Sequence, residues 1–334
     1  MNVRLKRPLV SGYTSNSYTV ASYIARCAQL AMVMEVSAHP KPGNVDRTHD
    51  YEDTRFEHFL ASAVSIYPVM ENAANSTDNK VFPGVGSLIH SAVRESANWQ
   101  NGGNTHFGAF ILLVPLAIAA GNIFQNEHEF TIDELVSCAH DIVKRTNTQD
   151  SIEFYKSFET AKVRVNPVDE FDLQDIGSIN SLDDDNITLY DLMEISKGYD
   201  MIADEWVNGF KRCANCGETI IQCMEWTGSD LSDIPGKSKL DINDVVVYAF
   251  MKTLSENRDT FIQTKFDEKT ADYVSGRARD ILLKFKPQEA GFDAVRLAVE
   301  EFDDELLSKG INPGSTADIV IAGLFIALLG GVRF

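Results

Sequence analysis

Apolar residues in this chain recur at helical spacing almost everywhere, and no other feature of the sequence restricts the fold as strongly. Over 18–36, Ala21, Ile24, Ala28, Leu30, Ala31 and Val33 make one broad apolar face. Over 55–75, Phe56, Phe59, Leu60, Ala63, Ile66 and Tyr67 repeat it. Similar patterns predict helices near 84–98, 106–121, 188–209, 212–227, 241–257, 267–285, 288–308 and 316–329. Thr131 with Glu134, and Asp150 with Glu153, have the spacing of helix-starting capping boxes. Period-two alternation is confined to short stretches such as 161–168. The expected fold is all-α, with ten or more helices.

At 334 residues and 44% hydrophobic content, the chain can bury one large core or two smaller ones. The stretch 166–185, with Pro167, Gly177 and three consecutive aspartates, is the candidate connector. No internal repeat or low-complexity tract accompanies it, so a single large domain over 1–334 is expected. A net charge of -19 argues against a nucleic-acid binder. Acids crowd the segment Asp169 to Glu205, where Lys197 is the only base; interspersed apolar residues mark it as solvated surface. The apolar run 319–329 is short of the ~20 residues a membrane span needs, and no signal-type apolar region follows Arg4, Lys6 and Arg7. A cytoplasmic protein without membrane partners is expected. The apolar content suits a homodimer, with no interface identified.

Five cysteines, at 27, 138, 213, 216 and 223, make no disulfide framework in a chain this long. Cys213 and Cys216 have metal-knuckle spacing, yet no second pair completes it. Structural thiols are expected.

Three polar loops interrupt the helical pattern. The first runs from Glu35 through Pro40-Lys41-Pro42-Gly43 to Asp46-Arg47 and on to Asp53. Its prolines forbid helix and its glycine permits a sharp turn. The second is 101–108, containing Gly102, Gly103, Asn104, Thr105 and His106; the third is 312–318, containing Pro313, Gly314, Ser315 and Asp318. Loops of this composition ahead of helices can turn backbone amides toward an anion. Singly, each also reads as a plain turn or cap.

Glu35-x4-Pro40-Lys-Pro-Gly43-x-Val-Asp46-Arg47, Asn104-Thr-His106-x-Gly-Ala109 and Pro313-Gly-Ser-x-Ala-Asp318, in that order, resemble the triphosphoribosyl-dephospho-CoA synthase family over most of the chain. Phe59-Leu60-Ala61-Ser62-Ala63 fits the same pattern. The resemblance implies a transferase in the biosynthesis of a prosthetic group. ATP is the substrate that donates its ribose; the 2′-hydroxyl of 3′-dephospho-CoA attacks C1, adenine leaves, and the triphosphate stays on the transferred ribose.

Displacement at an anomeric carbon calls for carboxylates, a general base, help for the leaving group, and cations with Mg²⁺ for the triphosphate. Lys41 and Arg47, with the amides around Gly43, are the expected phosphate clamp. Asp46 and Glu35 are candidates for Mg²⁺ or, with His106 and Asp318, for catalysis. Asn104, Thr105, Gly314 and Ser315 are expected to contact ATP, as are Asp259 and Lys265 from a looser family segment.

Phe107 stands where the resembling family carries a lysine, which removes an expected triphosphate contact. Related ribosyl transfer in another cofactor's biosynthesis is therefore an alternative. His49-Asp50 raises a His-Asp metal phosphohydrolase as another, although the seven histidines show no clean ligand set. A non-catalytic helical nucleotide-binding protein is a third, and it predicts that the three loops lie apart.

Overall fold

The computed structural model describes residues 4–6, 19–76, 83–125, 127, 129–161, 186–228, 240–284 and 292–334. The connector expected at 166–185 lies outside the described residues, as does the alternating stretch after Ala161.

The described residues are overwhelmingly helical. In chain order the helices are α1 (Val20–Ser37), α2 (Phe56–Ser65), α3 (Tyr67–Asn75), α4 (Val85–Trp99), α5 (Phe107–Phe124), α6 (Ile132–Val143), α7 (Thr148–Ala161), α8 (Leu189–Ser196), α9 (Met201–Asn208), α10 (Lys211–Gly228), α11 (Ile242–Glu256), α12 (Thr260–Lys265), α13 (Glu268–Leu282), α14 (Asp293–Ser308) and α15 (Gly314–Leu329). One short antiparallel pair joins Arg4–Lys6 to Glu129–Thr131.

Two stretches that read as single helices are broken. The 55–75 pattern divides at Ile66, where Pro68 opens α3 in the position proline tolerates. The 188–209 pattern divides between α8 and α9, because Asp200 caps the amides of Ile202 and Ala203 and restarts the helix. The Thr131–Glu134 capping box is present in both directions. Asp150 is no cap: Asn147 starts α7, while the Asp150 carboxylate accepts from the amides of Gly86 and Asn147.

The centre is built from α1, α5 and α15, which touch one another, with α3, α10 and α11 packed outside them. α5 and α15 are apolar on nearly every face because protein surrounds them. α5 is long and apolar enough to cross a membrane, but most of it is buried inside the protein. Pro115 within α5 cannot donate to the Ile111 carbonyl, and the Trp206 indole fills that gap at 3.1 Å. α10 meets α15 at Gly217 and Gly323: a Cβ on Gly323 would stand 2.6 Å from Cys216 Sγ. The five cysteines form no disulfide, and burial raises the thiol pKa of Cys27, Cys213, Cys216 and Cys223.

Candidate active site

The N-termini of α5 and α15 meet beside the loop that leaves α1. Behind α1 that loop turns back on the helix, and the Lys41 ammonium lies 2.6 Å from Glu35 Oε1 with both side chains buried. Asn44 Oδ1 stands 3.5 Å from the same nitrogen. Burial raises the Glu35 carboxyl pKa, and Lys41 opposes that rise. Gly43 has φ +73°, and a Cβ there would lie 2.1 Å from the Ile311 carbonyl oxygen, so only glycine fits. Its amide donates to Asp303 Oδ1 at 2.9 Å.

Specific bonds join the three loops. Asn44 Nδ2 donates to Asn312 Oδ1 at 3.2 Å, tying the first loop to the third. The Ala109 amide donates to Asp318 Oδ1 at 2.9 Å, tying the second to the third. A side chain at Gly108 would stand 2.1 Å from the other Asp318 oxygen, so the carboxylate closes over a bare backbone. Burial lowers the His106 pKa to about 3, and the charge of Lys41, within electrostatic reach, acts in the same direction. Burial and the negative charges of Glu35, Asp259 and Asp200 push the Asp318 carboxyl well above its usual range.

His106 Nδ1 is 2.9 Å from Ser62 Oγ, which receives the Ser96 hydroxyl at 2.9 Å. The imidazole packs edge-on against Phe59, with ring centroids 4.9 Å apart. Its Nε2 is buried without a partner, as is Thr105 Oγ1. Both residues line a cleft of about 240 Å³ with Val93, Gln100, Asn101 and Phe110. Phe107, at the position expected to carry a cation, instead stacks on Phe154 and meets Phe158 edge-on. α7 fills that place with rings.

The expected site residues sit in different surroundings. Lys41 is fully buried against Glu35 and Arg47 is exposed, so they do not form one clamp. Glu35 is absent from the only group of metal-ligand atoms among the described residues, which holds Asp46 with His39, His49 and Asp303. The Gly43 amide is spent on Asp303, and the Gly314 amide on Asn312. Asp259 is buried and braces two helices, accepting from the Ile262 amide and from the Thr316 amide and hydroxyl. Ser315 Oγ faces Thr260 Oγ1 at 3.2 Å. Asn104 Oδ1 accepts from the Phe107 amide at the start of α5. Lys265 is exposed over the Tyr51 ring, 5.8 Å from its centroid, and Tyr51 donates to the Gly43 carbonyl. The roles of Ser62, His39 and Asp303 escaped sequence reading. Ser62 lay inside a run already matched to the family; Asp303 had no local signal.

Similarity to a known family makes this helical protein a transferase. The family model described as ATP:dephospho-CoA triphosphoribosyl transferase, CitG, matches residues 21–333, and the chain belongs to that family. Its activity is that of a triphosphoribosyl transferase with ATP and dephospho-CoA as substrates. Among solved structures the chain is similar to a proposed triphosphoribosyl-dephospho-CoA synthase from Archaeoglobus fulgidus. Identity is 25%, coverage is 84% of this chain and 100% of that one, and the TM-score is 0.60. No curated protein matches.

Proposed function

We propose that ribosyl transfer takes place where α5 and α15 begin, with the ribose beside Asp318 and the departing adenine in the cleft of residues 101–107. The convergence of three motif loops on this junction carries the reading, since a helical protein without such a reaction has no need to join them.

Glu35, Asp259 and Asp200 lie close enough to act on Asp318 together. An ionised carboxylate at this position favours positive charge developing at the anomeric carbon. The raised pKa of Asp318 makes its ionised form a stronger base toward the acceptor hydroxyl. Glu35 and Lys41 position this wall and stay paired. His106, neutral because burial and Lys41 depress its pKa, offers a hydrogen bond to the base without carrying a charge. Ser62 accepts a hydrogen bond from the Ser96 hydroxyl and gives its own to Nδ1, which leaves the imidazole proton on the unpartnered Nε2. Arg47, Asn104 and Lys265 are exposed, and they would serve the triphosphate. Mg²⁺ brought with ATP would neutralise triphosphate charge, and Asp46 is the carboxylate of the first loop that could help hold it. A cytoplasmic setting, where ATP is abundant, accompanies this chemistry.

The test is release of free adenine from ATP and Mg²⁺ in the presence of dephospho-CoA. Asp318→Asn is expected to lower the rate by about 10²–10⁴-fold. An unchanged rate removes Asp318 from the chemistry; no adenine from the native protein overturns the proposal.

A further inference from the structure

The tight turn 46–49 carries a second constellation that the transfer chemistry does not use. Asp46 and His49 exchange backbone hydrogen bonds at 3.1 and 3.3 Å, which brings His49 back over Asp46. His39 Nδ1 lies 2.7 Å from Asp46 Oδ2. His49 Nδ1 lies 3.7 Å from Asp46 Oδ1 and 3.5 Å from Asp303 Oδ2. One ligand atom from each of His39, Asp46, His49 and Asp303 falls within 4.8 Å of every other.

Three observations separate this from a surface cluster. Asp46 and Asp303 are buried, at 0% and 1% exposure. Asp303 Oδ2 has no hydrogen-bond partner, although its other oxygen accepts from Gly43. His39 is held from behind: its amide donates to Asn243 Oδ1 and its carbonyl accepts from Asn243 Nδ2, at 2.9 and 2.7 Å. A buried carboxylate oxygen without a donor is costly and calls for a positive occupant.

The geometry points to a divalent metal site formed by His39, Asp46, His49 and Asp303, selective for a zinc-like ion over Mg²⁺. Two imidazoles with two carboxylates suit Zn²⁺ or its first-row neighbours, whereas Mg²⁺ prefers an all-oxygen octahedron. Thr48 supports the ligands: its amide and hydroxyl each donate to Asp46 Oδ1 at 2.7 Å. The imidazoles are partly exposed, 26% for His39 and 33% for His49, which provides an entry path. The bound ion would pin the Pro-Lys-Pro-Gly loop to α14 through Asp303. The site stands independently of the transferase reading and is tested without turnover.

Metal-free full-length protein is titrated with Zn²⁺ against a chromophoric chelator, with Mg²⁺ in excess, and separately with Co²⁺. One Zn²⁺ per chain is expected, undisturbed by Mg²⁺, together with Co²⁺ ligand-field bands of a nitrogen and oxygen site. In the His39→Ala/His49→Ala variant, Zn²⁺ affinity is expected to fall by at least about 100-fold, since disturbing an outer partner alone costs 10–100-fold. Affinity within a few-fold of the native protein, sulfur-to-cobalt charge-transfer bands pointing to the cysteines, or displacement by Mg²⁺ overturns the proposal. The Co²⁺ spectrum of the native chain decides the matter if the double variant fails to fold.

Discussion

The two arms of the loop 39–49 treat charge in opposite ways. On one, Lys41 and Glu35 are sealed, with side-chain exposures of 0% and 2%, and each is the other's main compensation. On the other, His39, Asp46, His49 and Asp303 bring two carboxylates under two imidazoles that reach solvent, and one buried oxygen is left without a donor. A sealed pair must be kept whole, because removing one partner strands the other charge. A half-open cluster can lose a member or gain an external ion at modest cost. The same short segment therefore holds a rigid wall and a receptive socket side by side.

The strongest way to break this contrast is Glu35→Gln, which strands the Lys41 ammonium. A loss of about 3–5 kcal/mol in urea unfolding is expected. The double variant Glu35→Leu/Lys41→Met should recover most of that loss. A double variant as unstable as the single one would show that packing, not charge, holds this arm.

Acid sharpens the sealed side next. An unfolded histidine titrates near pH ~6.5, whereas His106 in the folded protein titrates at about 3. Between those values the unfolded chain gains a proton that the folded chain refuses. Stability from this residue is complete above pH ~6.5 and drains as pH falls, by up to about 1.4 kcal/mol per pH unit. His106→Asn should flatten the stability–pH curve by that slope; parallel curves would show the imidazole to be solvated.

Gly108→Ala, which presses on Asp318, is expected to cost about 1–3 kcal/mol and to slow adenine release. A silent variant would mean that Asp318 can move aside. The smallest effect belongs to the open arm. Without metal, His49→Ala should change stability by less than about 1 kcal/mol, since its ring is partly exposed. With Zn²⁺ at a hundred times the native dissociation constant, the native protein gains about 2.7 kcal/mol that this variant lacks. Equal gains in both would place any bound zinc elsewhere.

Much of the helical layout was legible because a 3.6-residue period is written in near neighbours. Breaks at Ile66 and before Met201 were missed: the apolar pattern runs through both, while Pro68 and Asp200 restart the backbone. The three motif loops were legible by composition and order. What they do to one another was not, because it depends on bonds such as Asn44–Asn312 and Ala109–Asp318 across distant sequence. The same limit explains Phe107. A missing cation was evident from the sequence, but the rings of Phe154 and Phe158 that occupy its place were not.

By itself the sequence determined the all-α class, the helix-breaking loops and the membership that their motifs announce, since local spacing and residue order carry those facts. Tertiary structure alone decided which charges are neutralised and by whom. It buried Lys41 against Glu35, turned Asp259 into a brace, depressed the His106 pKa, and brought Asp303 to a glycine 260 positions away. Burial and proximity set the cost of a charge, and both are properties of the packed chain.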